Sequence, residues 1–218
     1  MQIGNPSYKI CPHCKHKNKF YPGPFHVKYY GLTEWSDGET FEELPNLKKT
    51  DLQKCDNCNQ FYWFKKMLGG LSFEDYVEAA DYFEKKYSLI TISNIIYRSI
   101  NRNRLLYIRL NILRKYNDQI RKHPLANGEN SKASIPNEKK EIFINNIKLL
   151  LKLLNEIEPN NHLLIAELYR NIGDFEKART ILGKIPDSIS KQLLLSEIEK
   201  RNCDVIIIQT PLIAISCH

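Results

Sequence analysis

Two hydrophobic rhythms divide the chain. Over its first seventy residues the apolar positions are β-forming and aromatic: Val27, Tyr29, Tyr30, Thr33 and Trp35 lie between His26 and Trp35, and Asp37-Gly38 is a hairpin dipeptide before Thr40 and Phe41. Phe61-Tyr62-Trp63-Phe64 reads as a returning strand. From Ser72 the spacing changes to three and four residues. Phe73, Tyr76, Val77, Ala80 and Phe83 mark one helical face, opened by Ser72 and Asp75 as a capping box. A longer helix is predicted from Ile92 to Lys122, with Ile95, Ile96, Ile100, Leu106, Leu110 and Leu113 buried. Two prolines and an Asn-Gly make 123–138 a loop, and helix resumes over Glu138–Glu158 with Phe143, Ile147, Leu150, Leu151 and Leu154 inward. Ser188 caps a further helix to about Lys200, and Val205–Ile208 reads as a short strand returning to the body.

These elements predict an α+β protein in two parts: a small β domain over 1–70 and a helical domain over 71–218, hinged at Gly69-Gly70. Composition fits a globular chain, with 42% hydrophobic and 26% charged residues among 218. No apolar run reaches the ~18 residues of a membrane span, and no leader-like segment opens the chain, so a cytoplasmic protein is expected.

Four of the six cysteines form two pairs of identical spacing, Cys11-Pro12-His13-Cys14 and Cys55-Asp56-Asn57-Cys58. A C-x-x-C turn aims two thiolates at one point, and two such turns supply the soft tetrahedral set of a closed structural Zn(II) site. Iron can occupy the same four sulfurs. Paired disulfides suit a secreted chain, and a redox turn needs one pair in a βαβ setting. One structural zinc on Cys11, Cys14, Cys55 and Cys58 is therefore the expectation, with Phe20, Tyr21, Trp35, Phe61 and Trp63 packed around a ribbon core too small to fold without metal.

Asn161–Ile185 reads NHLLIAELYRNIGDFEKARTILGKI and resembles a tetratricopeptide repeat through Ile165, Ala166, Tyr169, Gly173-Asp174, Phe175, Ala178 and Leu182. Small residues allow a close helix crossing, and Gly173 ends the first helix so the second folds back. The chain as a whole resembles a family of uncharacterised bacterial proteins in which an N-terminal four-cysteine zinc ribbon precedes a tetratricopeptide-like helical region. The likeness is carried by the cysteine pairs, Trp35-Ser36-Asp37-Gly38, Tyr62-Trp63, Tyr116-Asn117-Asp118 with Arg121, and Leu168-Tyr169-Arg170 with Gly173-Asp174-Phe175. It implies a fold and brings no activity.

The formal charge is +7, and four thiolates on one Zn(II) reduce it to about +5. The basic residues concentrate in 91–125, while Glu34, Asp37, Glu39, Glu42 and Glu43 make the Asp37-Gly38 hairpin acidic. Arg98, Arg102 and Arg109 share one side of the long helix, either paired with acids of neighbouring helices or presented to a phosphate or acidic partner. The histidines form no ligand pair, and neither a glycine-rich phosphate loop nor a nucleophile motif is present. The expected function is a non-enzymatic module binding a protein or peptide. The alternative is a nucleic-acid binder using the ribbon and the basic helix 98–122.

Overall fold

The computed structural model describes residues 7–20, 33–41, 49–68, 71–88, 95–121 and 135–209. The segment from His26 to Tyr30, the Gly69-Gly70 hinge, most of the 123–138 loop and Cys217 lie outside the described residues. The protein is mixed α+β, with three small antiparallel sheets and six helices among the described residues.

Strands β1 (Ser7–Ile10) and β2 (Lys17–Phe20) form one hairpin, and β5 (Lys49–Lys54) and β6 (Phe61–Leu68) form another. Between them β3 (Thr33–Trp35) and β4 (Thr40–Phe41) turn at Gly38, whose φ of 72° needs a residue without Cβ strain. The C-terminal strand β7 (Ile207–Gln209) returns over the whole chain to pair with β3.

Helix α1 (Phe73–Ser88) opens on the expected capping box: Ser72 Oγ accepts from the Asp75 N–H at 3.0 Å, and Asp75 Oδ2 accepts from the Ser72 N–H at 3.2 Å. Helix α2 (Ile95–Asn117) packs beside it, and α3 (Asn137–Ile157) packs on the other side of α2. Because α2 is covered by α1 on one side and α3 on the other, it buries two stripes, including Leu106, Ile108, Ile112, Leu113 and Tyr116. Ile100, expected inside, is 43% exposed instead. A single stripe read at helical period cannot locate two neighbours.

Asp174 and Ser188 cap α5 (Phe175–Leu182) and α6 (Ile189–Glu199) by accepting from the N–H groups of Lys177 and Lys191. Gly173, at φ 79°, closes α4 (His162–Asn171) and sends α5 back along it. Ala166 and Ala178 are both buried at this crossing, in one cluster with Leu182, Leu194 and Ile198.

The main hydrophobic cluster does not stop at residue 70. Leu52 and Phe61, both fully or nearly fully buried, belong to the same cluster as Phe73, Tyr76, Phe83, Leu113 and Phe143. Phe61 meets Tyr82 at 5.9 Å, and Trp63 lies against Phe83 and Tyr107. Lys54 reaches Asp75 and Glu78 on α1. Phe61 and Trp63, assigned from sequence to a ribbon core, thus serve elsewhere. A hairpin with strands of six and eight residues has one face to bury, and α1 with α2 offers more apolar area than the cysteine turns do.

Candidate metal centre

Each C-x-x-C pair occupies the turn of a hairpin, and the two turns have the same backbone. Cys11 N–H donates to His16 O at 2.8 Å, and Lys15 N–H donates to Cys11 O at 3.0 Å. Cys55 N–H donates to Gln60 O at 3.0 Å, and Asn59 N–H donates to Cys55 O at 2.9 Å. The residue after each second cysteine is left-handed, Lys15 at φ 64° and Asn59 at φ 56°. Asparagine enters this region readily and lysine at a cost, so the strain at Lys15 is held by the turn around it.

The turns face each other. All four sulfurs lie within 4.8 Å of one another, with Cys11 Sγ to Cys58 Sγ at 3.8 Å and Cys14 Sγ to Cys55 Sγ at 3.6 Å. A metal bound tetrahedrally at ~2.3 Å to each sulfur sets neighbouring sulfurs about 3.8 Å apart, whereas a disulfide needs ~2.05 Å. The quartet matches the first geometry. Cys11 and Cys55 are fully buried, and Cys14 and Cys58 are half-buried.

Surrounding groups orient the sulfurs. The His13 N–H donates to Cys11 Sγ at 3.4 Å, and Asn57 Nδ2 donates to Cys14 Sγ at 3.6 Å. Asn18, 5% exposed, joins the two turns: its Nδ2 donates to Tyr62 Oη at 3.2 Å and its Oδ1 accepts from the Asp56 N–H at 3.1 Å. Tyr62 is the aromatic that packs with the cysteines. His13 Nε2 meets Phe61 O at 3.3 Å, and neither His13 nor His16 belongs to the sulfur group.

Without a cation the thiols titrate unequally. Desolvation pushes the Cys55 thiol up, but the N–H groups of Cys58 and Asn57 and the thiols of Cys14 and Cys11 outweigh it and bring it down to about 6. The Gln60 N–H favours the Cys58 thiolate, yet burial and the other three sulfurs drive that thiol up to about 12. The Cys14 thiol is lowered, chiefly by the His16 N–H and the Asn57 amide. One thiolate forms easily and the last resists. A divalent cation held by the four sulfurs would remove that conflict, and its binding would expel the remaining protons.

The described side chains of the basic stretch meet partners within the chain. Arg102 pairs with Glu156 at 3.1 Å. Arg109, grouped from sequence with Arg98 and Arg102 as one surface, is 4% exposed, pairs with Glu84 and donates to Asn146 Oδ1 at 3.1 Å. It presents no charge to a partner, because α2 lies between two helices and its sides face them. Arg104 lies over Trp63, Arg114 pairs with Glu39, and Arg121 pairs with Asp37 and Asp118. The Arg98 side chain lies outside the described residues.

Sequence patterning did not single out the most buried polar cluster. Asp37, 0% exposed, accepts from Asn117 Nδ2 at 2.7 Å and from Arg121, whose guanidinium also covers Trp35. Glu167 and Arg170, both fully buried, form a bidentate pair, and Arg170 donates onward to the carbonyls of Asn202 and Asp204. Asn171 donates to Glu167 and to the Cys203 carbonyl. The signal was present as polar residues at otherwise apolar helical positions, together with the Trp35–Gly38 and Asn117–Arg121 segments.

The chain is thus a mixed α+β protein whose four hairpin-borne cysteines lie together as a site able to take a metal ion. No family model, curated protein or solved structure matches it. Among the described residues no helix is long and apolar enough to cross a membrane.

Proposed function

We propose that the protein is a non-enzymatic interaction module built on one structural zinc ion. The observation that carries this reading is the sulfur quartet on two matched turns, whose 3.6 and 3.8 Å edges suit a tetrahedral tetrathiolate. Four sulfurs leave no coordination position for water or substrate, so the metal stabilises the turns and does no chemistry. In this reading the paired hairpins are a zinc ribbon, α4 and α5 are a tetratricopeptide-like pair, and the chain is kin to the bacterial proteins it resembles. Free thiols around a metal suit the reducing cytoplasm.

The partner is a protein, taken as a peptide or helix on the outer side of α6. Ile189, 75% exposed, and Leu193 stand four residues apart there, where a helical stack would add its next member. Elemental analysis of protein purified without added metal should give one zinc per chain, lost in Cys11→Ser and Cys55→Ser. One iron per chain would replace the metal assignment, and no metal at all would end it. Capture of a partner by the full chain, abolished in Ile189→Asp with Leu193→Asp, tests the interaction reading separately.

A further inference from the structure

The segment that follows α6 is held the way a bound peptide is held. Arg170 donates to the carbonyls of Asn202 and Asp204, the second at 2.7 Å, and Asn171 Nδ2 donates to the Cys203 carbonyl between them at 2.9 Å. Ser36 then engages both main-chain groups of Ile206, and β3 pairs with β7 through Glu34 and Trp35. Each of these bonds uses the main chain of residues 202–209. Among 202–208 Val205 alone is buried, and the Cys203 side chain is exposed.

The groups that read this strap are a poor way to fill a core. Glu167 and Arg170 are fully buried, although apolar side chains of similar volume often stabilise an interior as well as a buried ion pair does. What the pair adds is a fixed fork of donors aimed at carbonyls. The strap also satisfies the cleft incompletely. Asn171 is 7% exposed, and its Oδ1 has no hydrogen-bond partner among the described residues. That oxygen belongs to the amide that grips the Cys203 carbonyl, so an unmet acceptor stands against the strap. The strap's attachment is slight as well. It leaves α6 through Arg201, left-handed at φ 53° despite its Cβ, and β7 is the edge strand of its sheet among the described residues, so it lifts without unpairing another strand.

We propose that the cleft between β3 and α4 binds a non-helical segment of a partner protein, and that residues 202–209 occupy it as a displaceable internal ligand. The partner segment offers three successive carbonyls to Arg170 and Asn171 and then sets a β-branched side chain in the place of Val205. A donor that also meets Asn171 Oδ1 makes it a better ligand than the strap. A helix spends its carbonyls internally and does not fit. This site is additional to the α6 surface of the protein-binding reading.

The probe is a labelled peptide of residues 201–209, followed by fluorescence anisotropy with the full-length chain at its native metal content. The wild-type chain should bind it weakly, because the strap competes at the high effective concentration of an intramolecular ligand. Val205→Ala loosens the strap and should tighten peptide binding about tenfold, and Val205→Asp should tighten it further. Within the peptide, Val205→Asp should abolish binding and Cys203→Ala should leave it unchanged, as main-chain recognition requires. Unchanged circular dichroism and metal content establish that each variant is folded, and Val205→Ala carries the test if Val205→Asp does not fold. The proposal is overturned if the folded variants bind no peptide, or if they bind it no better than the wild type does. A wild-type dimer that the peptide dissociates would also overturn it, by assigning the cleft to the same segment of a second copy. Zinc content and capture through Ile189 and Leu193 report on the earlier reading independently.

Discussion

Ser36 Oγ donates to Glu167 Oε1 at 2.5 Å, joining the β3–β4 turn to the middle of α4 across 131 positions of sequence. The Ile206 N–H donates to the same hydroxyl at 3.1 Å, and the Ser36 N–H donates to Ile206 O at 2.8 Å, so β7 is seated by the same serine. Glu167→Ala would leave the Arg170 guanidinium buried and unpaired, and loss of about 3–5 kcal/mol is expected. Ser36→Ala removes one hydroxyl and should cost about 1–3 kcal/mol. Urea unfolding of the two variants, compared at equal metal content, checks both the size and the order.

Arg102 and Arg109 make a paired test of what burial does to a charge. Arg102 and Glu156 are each more than a third exposed, so Arg102→Gln should change stability by at most about 0.5 kcal/mol. Arg109→Ala empties a buried site and strips partners from Glu84 and Asn146, and about 3 kcal/mol of destabilisation is expected. Equal effects in thermal or urea unfolding would refute the burial of Arg109.

Acid should loosen α1 through Asp75. Burial raises this carboxyl, but Lys54 and the Ser72 hydroxyl and N–H together hold it below its ordinary 3.8. A carboxyl depressed in the folded state stabilises the fold fully above its unfolded value, and that contribution disappears as pH falls through the folded one. Stability followed from pH 6 down to about pH 2 should therefore show a decline below about 4 that is shallower in Asp75→Asn. The variant should start lower at neutral pH.

Removing the metal should act unevenly. No described side chain of β1 or β2 belongs to the main hydrophobic cluster, whereas Leu52 and Phe61 flank the second cysteine turn and lie inside it. Chelation is expected to release the first hairpin and leave β5–β6 docked on α1. Amide hydrogen exchange should accelerate over 7–20 much more than over 52–54 and 61–63. Uniform acceleration through α1–α3 would show that the metal supports the whole fold.

The positions of the helices, their caps and the cysteine pairs were legible in the sequence because each is a local pattern. Ser72 with Asp75 and Ser188 with Lys191 are contacts three residues apart, and a serine placed just before a helical period predicts them, whereas Asp174, read as a turn residue, also caps α5. The C-x-x-C turns are equally local, and their common spacing implied a shared site that the folded chain brings within 4.8 Å. Val205–Ile208 was readable as a strand, though not as a partner of β3.

The amino-acid order by itself determined which segments become helix or hairpin and which four sulfurs can meet, since a few neighbouring residues suffice for either. Tertiary structure decided what the remaining side chains do. Trp35, Phe61 and Trp63 have the same β-forming character in sequence, but Trp35 lies under Arg121 while the other two pack on α1 and α2. Arg102 and Arg109 lie on one helix, yet Glu156 holds one at the surface and α3 encloses the other. A charge is spent or available according to what stands beside it after folding. Asp37 and Arg121, 84 residues apart, find each other only when both are buried in the same place.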